Sequence, residues 1–180
     1  MKRLLSWLLL FTMPAAGLFS APAEVVALFD QPADITPLAP EKTGALYSAI
    51  TDAKAGQLGW GATHRNFLEY YYAHTLDMLT GPDPQGRLIL HVRTDEPAAL
   101  WSVAVRVKTP SGEMFHFDAK PALTAGQWEN VAIEIKPGAS KSNWGGAKTG
   151  LLDGPLRLAG FALLVNPSAS AGGLMIDRIS

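Results

Sequence analysis

Apolar and polar side chains alternate with a period of two along much of this chain. Leu88, Leu90 and Val92 alternate with Arg87, His91 and Arg93. Trp101, Val103, Val105 and Val107 alternate with Ser102, Arg106 and Lys108, and Val131, Ile133 and Ile135 with Ala132, Glu134 and Lys136. Such a period turns one set of side chains inward and the other to solvent, so each run predicts a half-buried antiparallel strand. Breakers separate the runs: Pro82-Asp83-Pro84-Gln85-Gly86, Glu96-Pro97, Pro110-Ser111-Gly112, Ala125-Gly126 and Pro137-Gly138. Pro110-Ser111-Gly112 joins two β-rich runs and predicts a hairpin.

Other strands are less regular. Leu156 and Leu158 share one parity, whereas Phe161, Leu163 and Val165 take the other, so a bulge at Gly160 is expected to re-aim the strand. Phe67 to Ala73, with three successive tyrosines, is strand-like by propensity. Val25 to Phe29 reads as a first strand and Leu174 to Ile179 as a last one. Gly44 to Ala55 fits a strand or a helix with Leu46, Ile50 and Ala53 on one side; the strand is favoured. Asn143 to Leu152, rich in glycine and carrying Trp144 and Lys148, reads as a long surface loop. About eight or nine strands with frequent turns predict an all-β, antiparallel β-sandwich of jelly-roll type.

The first residues change the compartment. Lys2 and Arg3 precede an apolar run from Leu4 to Phe11, which decays into small residues and Pro14; Ala21 and Ala23 then fit a signal-peptidase site. The reading is a signal peptide over 1–23 and one folded domain over 24–180, secreted or periplasmic in a bacterium. A cleavage a few residues earlier fits nearly as well, and an uncleaved anchor is the alternative, although the run is shorter than the roughly 20 residues that span a bilayer. No later segment has the length and apolarity of a membrane span.

The chain has no cysteine, so no disulfide supports the fold and the core must suffice. Losing Lys2 and Arg3 with the leader makes the remainder two charges more negative than the whole chain's −1. A balance of that sign, without a basic run, offers nucleic acid no footprint. An uncharged or weakly charged partner fits better.

Catalytic patterns are missing. There is no Gly-x-Ser-x-Gly elbow, no phosphate loop, and the four histidines, His64, His74, His91 and His116, lack metal-ligand spacing. Glu69, Asp77, Glu113, Asp118 and Asp153 could pair as glycosidase acids, but any domain of this size carries such residues, and solvated surface charge accounts for them. The aromatics say more. Sugar rings pack C–H faces on indole and phenol rings while their hydroxyls seek polar partners. Trp60 and Trp144 stand beside glycines, outside any recognisable core strand, and alternation turns at least one of Tyr70, Tyr71 and Tyr72 away from the core. Trp60, Tyr71 and Trp144 are therefore the candidate sugar-binding residues. Trp101 and Trp128 are expected to pack inside or plug a sandwich edge.

A succession of segments points further: Trp101 to Val107, Gly112-Glu113-Met114-Phe115, Ala125 to Val131, Leu158-Ala159-Gly160-Phe161, and Gly173 to Ile179. It resembles the galactose-binding-like jelly-roll domains that serve as carbohydrate-binding modules, often at the N-terminus of bacterial polysaccharide-degrading glycoside hydrolases such as agarases. The likeness covers residues 87 to 180 well and the first half loosely. It implies a polysaccharide or oligosaccharide partner and no catalysis in this domain. It also implies a structural calcium near the last strand, held by Asp177 with Asp30 as its candidate partner, since hard cations take oxygen ligands. Two other readings remain: the front module of a larger glycoside hydrolase, or a structural or adhesion sandwich that contacts protein.

Overall fold

A computed structural model describes residues 27–28, 35–37, 56–61, 66–79 and 84–180. The signal peptide, the 44–55 segment and Asp30 lie outside the described residues. Within them the chain forms β1 (Ala27–Leu28), β2 (Ile35–Pro37), β3 (Gly56–Trp60), β4 (Phe67–Met78), β5 (Gly86–Arg93) and β6 (Leu100–Lys108). There follow β7 (Glu113–Ala119), β8 (Glu129–Ile135), β9 (Ser142–Gly145), β10 (Leu156–Val165) and β11 (Gly172–Ile179). The one helical element among the described residues is a 3-10 turn at Pro97–Ala99, and no helix there is long and apolar enough to cross a membrane.

All pairings are antiparallel. One sheet runs β1-β11-β5-β8, with β3 also on β11; the other runs β2-β4-β10-β6-β7-β9. The alternation read in the sequence sets which faces meet. Leu88, Leu90 and Val92 of β5, with Val131, Ile133 and Ile135 of β8, face Val103, Val105 and Val107 of β6 and Phe161, Leu163 and Val165 of β10 in a single core cluster. Each such side chain contributes about 1.5–3 kcal/mol by leaving water. This is the β-sandwich the pattern predicts. Its first and last described strands pair, Ala27 opposite Ile179.

Bulges re-aim three strands. At Gly160 the register slips against both neighbours: opposite β6 Ala159 is the extra residue, opposite β4 the surplus lies on β4 between Tyr71 and Leu76, and the parity changes where the sequence indicated. A Cβ at Gly160 would collide with the Tyr70 carbonyl, hence the glycine. A second slip leaves Trp101 unpaired between Leu100 and Ser102, and the indole turns outward, 45% exposed, so of its two expected placements, inside or plugging a sandwich edge, it does not take the first. A third makes Asp177 the extra residue of β11. Trp128 is partly buried, stacked on His91 with ring centroids 5.0 Å apart.

The hairpin at 110–112 forms, Gly112 accepting a left-handed turn at φ +85° and donating to the Thr109 carbonyl at 3.0 Å. The loop expected over 143–152 begins differently. Ser142–Gly145 is an edge strand, β9, on β7. The glycines that suggested a loop make the sharp turn that follows it.

Candidate functional site

Because Leu68 and Tyr70 of β4 face the core, pleating turns Phe67, Glu69 and Tyr71 to the outer face of the six-stranded sheet. The same rule puts Arg106 and Lys108 of β6 and Met114, His116 and Asp118 of β7 on that face. Trp144 stands on the edge strand β9. Midway along β10, between β4 and β6, the outward positions are Gly160 and Ala162, with Ala104 next to them on β6 and the larger Arg157 and Leu164 toward the strand ends. Small residues along the floor and aromatic residues on either side leave a groove of about 770 Å³. A smaller depression among Phe67, Ser102, Asp118 and Leu164 continues it.

Tyr71 and Trp144 mark its two sides, 49% and 38% exposed. Four interstrand steps separate β4 from β9. At about 4.8 Å each, the backbones lie roughly 19 Å apart. Arg106 rises between them. Its guanidinium pairs with Glu69 and lies 5.0 Å from the Trp144 ring centre and 5.6 Å from that of Phe67, within cation–π range of both. The pairing anchors the guanidinium beside both rings.

Other polar groups are tied as well. Ser102 Oγ donates to Asp118 at 3.2 Å, and Lys141 Nζ lies 3.9 Å from the same carboxylate. His116, 8% exposed, sits beside Phe67 at 6.0 Å between centroids. Burial, reinforced by the Arg106 charge, depresses its pKa below the ordinary imidazole value; Asp118 and Glu69 oppose this without reversing it. The imidazole is therefore neutral at pH 7, and the groove presents two cation–carboxylate pairs, the further cation Lys108 and one neutral ring.

Of the three aromatic residues selected from sequence, the structure brings two together. Trp60 does not join them. It belongs to β3 in the other sheet, is 2% exposed, and donates its indole N–H to the Ser170 carbonyl at 2.8 Å. Its flanking glycines do not signal exposure. A Cβ at Gly172, the residue paired with Trp60 across the ladder, would lie 2.8 Å from the indole ring, so glycine makes room for it. Phe67, Glu69, Arg106, His116 and Asp118 escaped selection. Outward parity on their strands was their one signal, and outward residues are most often plain surface.

Asp177 is already engaged. Arg178 donates to its carboxylate, and His91 Nδ1 lies 3.1 Å from the same oxygen. Two nitrogen groups, one cationic, are what the described residues offer this carboxylate, and Asp30, its candidate partner toward calcium, lies outside them. Among the described residues no group of three or more His, Cys, Asp or Glu is placed to hold a metal.

No family model matches the chain, and no curated protein sequence matches it. Solved structures do. The solution structure of CtCBM11 superposes with a TM-score of 0.59 at 12% identity, over 87% of this chain and 92% of that one. The family 11 carbohydrate-binding module from Clostridium thermocellum, in complex with a β-1,3-1,4-mixed-linked tetrasaccharide, gives 0.56 at 12% identity, over 86% and 92%. An exo-β-agarase gives 0.50 at 13% identity, and here 87% of this chain matches 25% of the other. At such identities the likeness is one of fold: this chain has the jelly-roll β-sandwich on which those carbohydrate-binding modules are built.

Proposed function

We propose that the groove on the six-stranded sheet binds a polysaccharide chain and performs no chemistry on it. The observation that carries this reading is the convergence of Tyr71, Phe67 and Trp144 on one groove around the Arg106–Glu69 pair. Rings at the sides suit the C–H faces of sugars, and the central polar pair suits their hydroxyls. A span near 19 Å has room for several linked rings. Since the groove's carboxylates each lie beside a cation and Lys108 adds one more positive charge, the polymer that fits is uncharged or weakly anionic. The same pairing argues against hydrolysis, which needs one carboxyl held protonated as a general acid. The mixed-linked tetrasaccharide carried by a neighbour of the same fold supports the class of ligand. With the leader over 1–23, the domain would work outside the cytoplasm.

Native electrophoresis in gels cast with mixed-linked β-1,3-1,4-glucan or with agarose tests this. Wild type should be retarded by at least one polymer. Trp144→Ala and Tyr71→Ala should each lose about 1.5 kcal/mol of stacking, roughly a tenfold weaker affinity. No retardation, or retardation that both variants retain in full, would overturn the reading. The agarase comparison, in which this fold covers a quarter of a longer chain, favours a second role as the binding module of a larger glycoside hydrolase. Reading the gene beyond the Ser180 codon decides it: an immediate stop removes that role.

A further inference from the structure

Trp144 stands on a four-residue strand with a single neighbour, and an edge strand that short has little pairing to keep it in place. Beneath it lies an unusual group. Glu113, at the inward position of β7 opposite Gly145, is a carboxylate with 0% exposure. It faces no cation. Its oxygens instead accept from the Asn143 side-chain amide, from the Thr149 amide at 2.8 Å and hydroxyl at 3.0 Å, and from the Gly150 amide at 3.0 Å. The consecutive Thr149 and Gly150 N–H groups form an anion-binding concavity of the kind that usually receives a ligand, filled here by the protein's own side chain. Burial pushes the carboxyl pKa up, but the hydrogen bonds from Asn143, Gly150 and Thr149 outweigh it and hold the group below its ordinary value, so it keeps its charge.

The backbone is shaped to this contact. Gly145, Gly146, Lys148 and Gly150 all have positive φ, curling 145–150 around the carboxylate. A Cβ on Gly146 would fall on the backbone of Gly112 and Glu113. The donors lie on both sides of Trp144, with Asn143 just before it and Thr149 and Gly150 just after the turn. We infer that Glu113 is a positioning residue for the groove: its buried carboxylate holds β9 and the following turn so that Trp144 faces a bound sugar. The inference rests on the groove reading, and it assigns part of the affinity to a residue that no ligand touches.

E113Q keeps the size of the side chain but turns an N–H₂ group toward donors. Three variants, E113Q, W144A and the double variant, are compared by retardation in mixed-linked β-1,3-1,4-glucan gels and by hydrogen exchange across 142–150. E113Q should speed exchange in that segment by about tenfold or more, leave β5, β8 and β10 protected, and weaken retardation toward the W144A level. The double variant should bind no more weakly than W144A, because the two changes remove one interaction. Independent, multiplying losses would overturn the inference, as would wild-type exchange in E113Q. Failure of the groove reading shows separately, as full retardation of W144A or none of wild type. In that case protection lost from 142–150 in E113Q still supports the hold of Glu113 on β9 and its turn, and protection retained overturns it. If E113Q does not fold, T149A, which deletes one side-chain donor, gives the same comparison with a smaller effect.

Discussion

Tyr70 joins the two sheets, and its removal should be readable in both stability and pH dependence. The phenol, 1% exposed, crosses the sandwich from β4 and donates to the Gly59 carbonyl on β3 at 2.7 Å. Tyr70→Phe keeps the ring and takes away the donor. Leaving a buried carbonyl short of its partner costs about 1–3 kcal/mol. For a domain of this size that lowers melting by roughly 3–8 °C. Burial also raises the pKa of the phenol far above its ordinary value. The unfolded chain ionises near pH 10 while the folded phenol keeps its proton, so this contribution is complete below about pH 10 and is lost above it. By pH 11 the loss is about 1.4 kcal/mol. The stability gap between wild type and Tyr70→Phe, measured by urea unfolding, should therefore narrow by that amount between pH 8 and pH 11. Other tyrosines and the lysines titrate in both proteins and cancel in the difference. A gap that stays constant with pH would mean that the phenol is not sealed between the sheets, and the account of β4 as a strut across the sandwich would fail.

Gly160→Ala should cost about 3 kcal/mol, because its methyl meets the Tyr70 carbonyl at a bulge that cannot spread; thermal unfolding checks this, and a loss under 1 kcal/mol would show that β4 yields there. His116 has a folded pKa below its unfolded value, so its contribution is whole above about pH 6.5 and falls as pH drops below that. Melting of His116→Gln between pH 7.5 and pH 5 should accordingly be flatter than that of wild type; parallel slopes would refute the assignment. With Asp177 facing Arg178 and His91, melting curves in calcium and in chelator should superimpose. A rise of several degrees in calcium, removed by Asp177→Asn, would restore the cation implied by family resemblance.

The fold was legible where one face of a strand is buried and the other wet. β5 and β8 show it plainly, since each puts β-branched or leucine side chains at buried alternate positions with more exposed residues between them. Gly160 was legible for the same reason: a change of parity on one strand leaves few explanations besides an extra residue. Trp101 was not. It keeps the apolar parity of its strand, and only the ladder, which pairs Val165 with Leu100 and Leu164 with Ser102, shows that a residue has slipped outward. A bulge with no glycine leaves no mark in the alternation.

The groove was half legible, and the missing half has a physical cause. A tryptophan next to glycine has two opposite explanations. Beside Trp144 the glycines turn the chain after an edge strand and leave the ring in the open; beside Trp60 a glycine on the neighbouring strand clears space for the ring to lie flat. Telling them apart requires knowing that residue 60 pairs with residue 172, a contact no local pattern contains. Arg106 and Glu69 were invisible for a related reason, being ordinary outward charges until β10 brings β4 and β6 to either side of it. Glu113 is the extreme case. It occupies an inward position where an apolar residue belongs, and that breach of the pattern is the one trace the sequence carries of the carboxylate beneath Trp144.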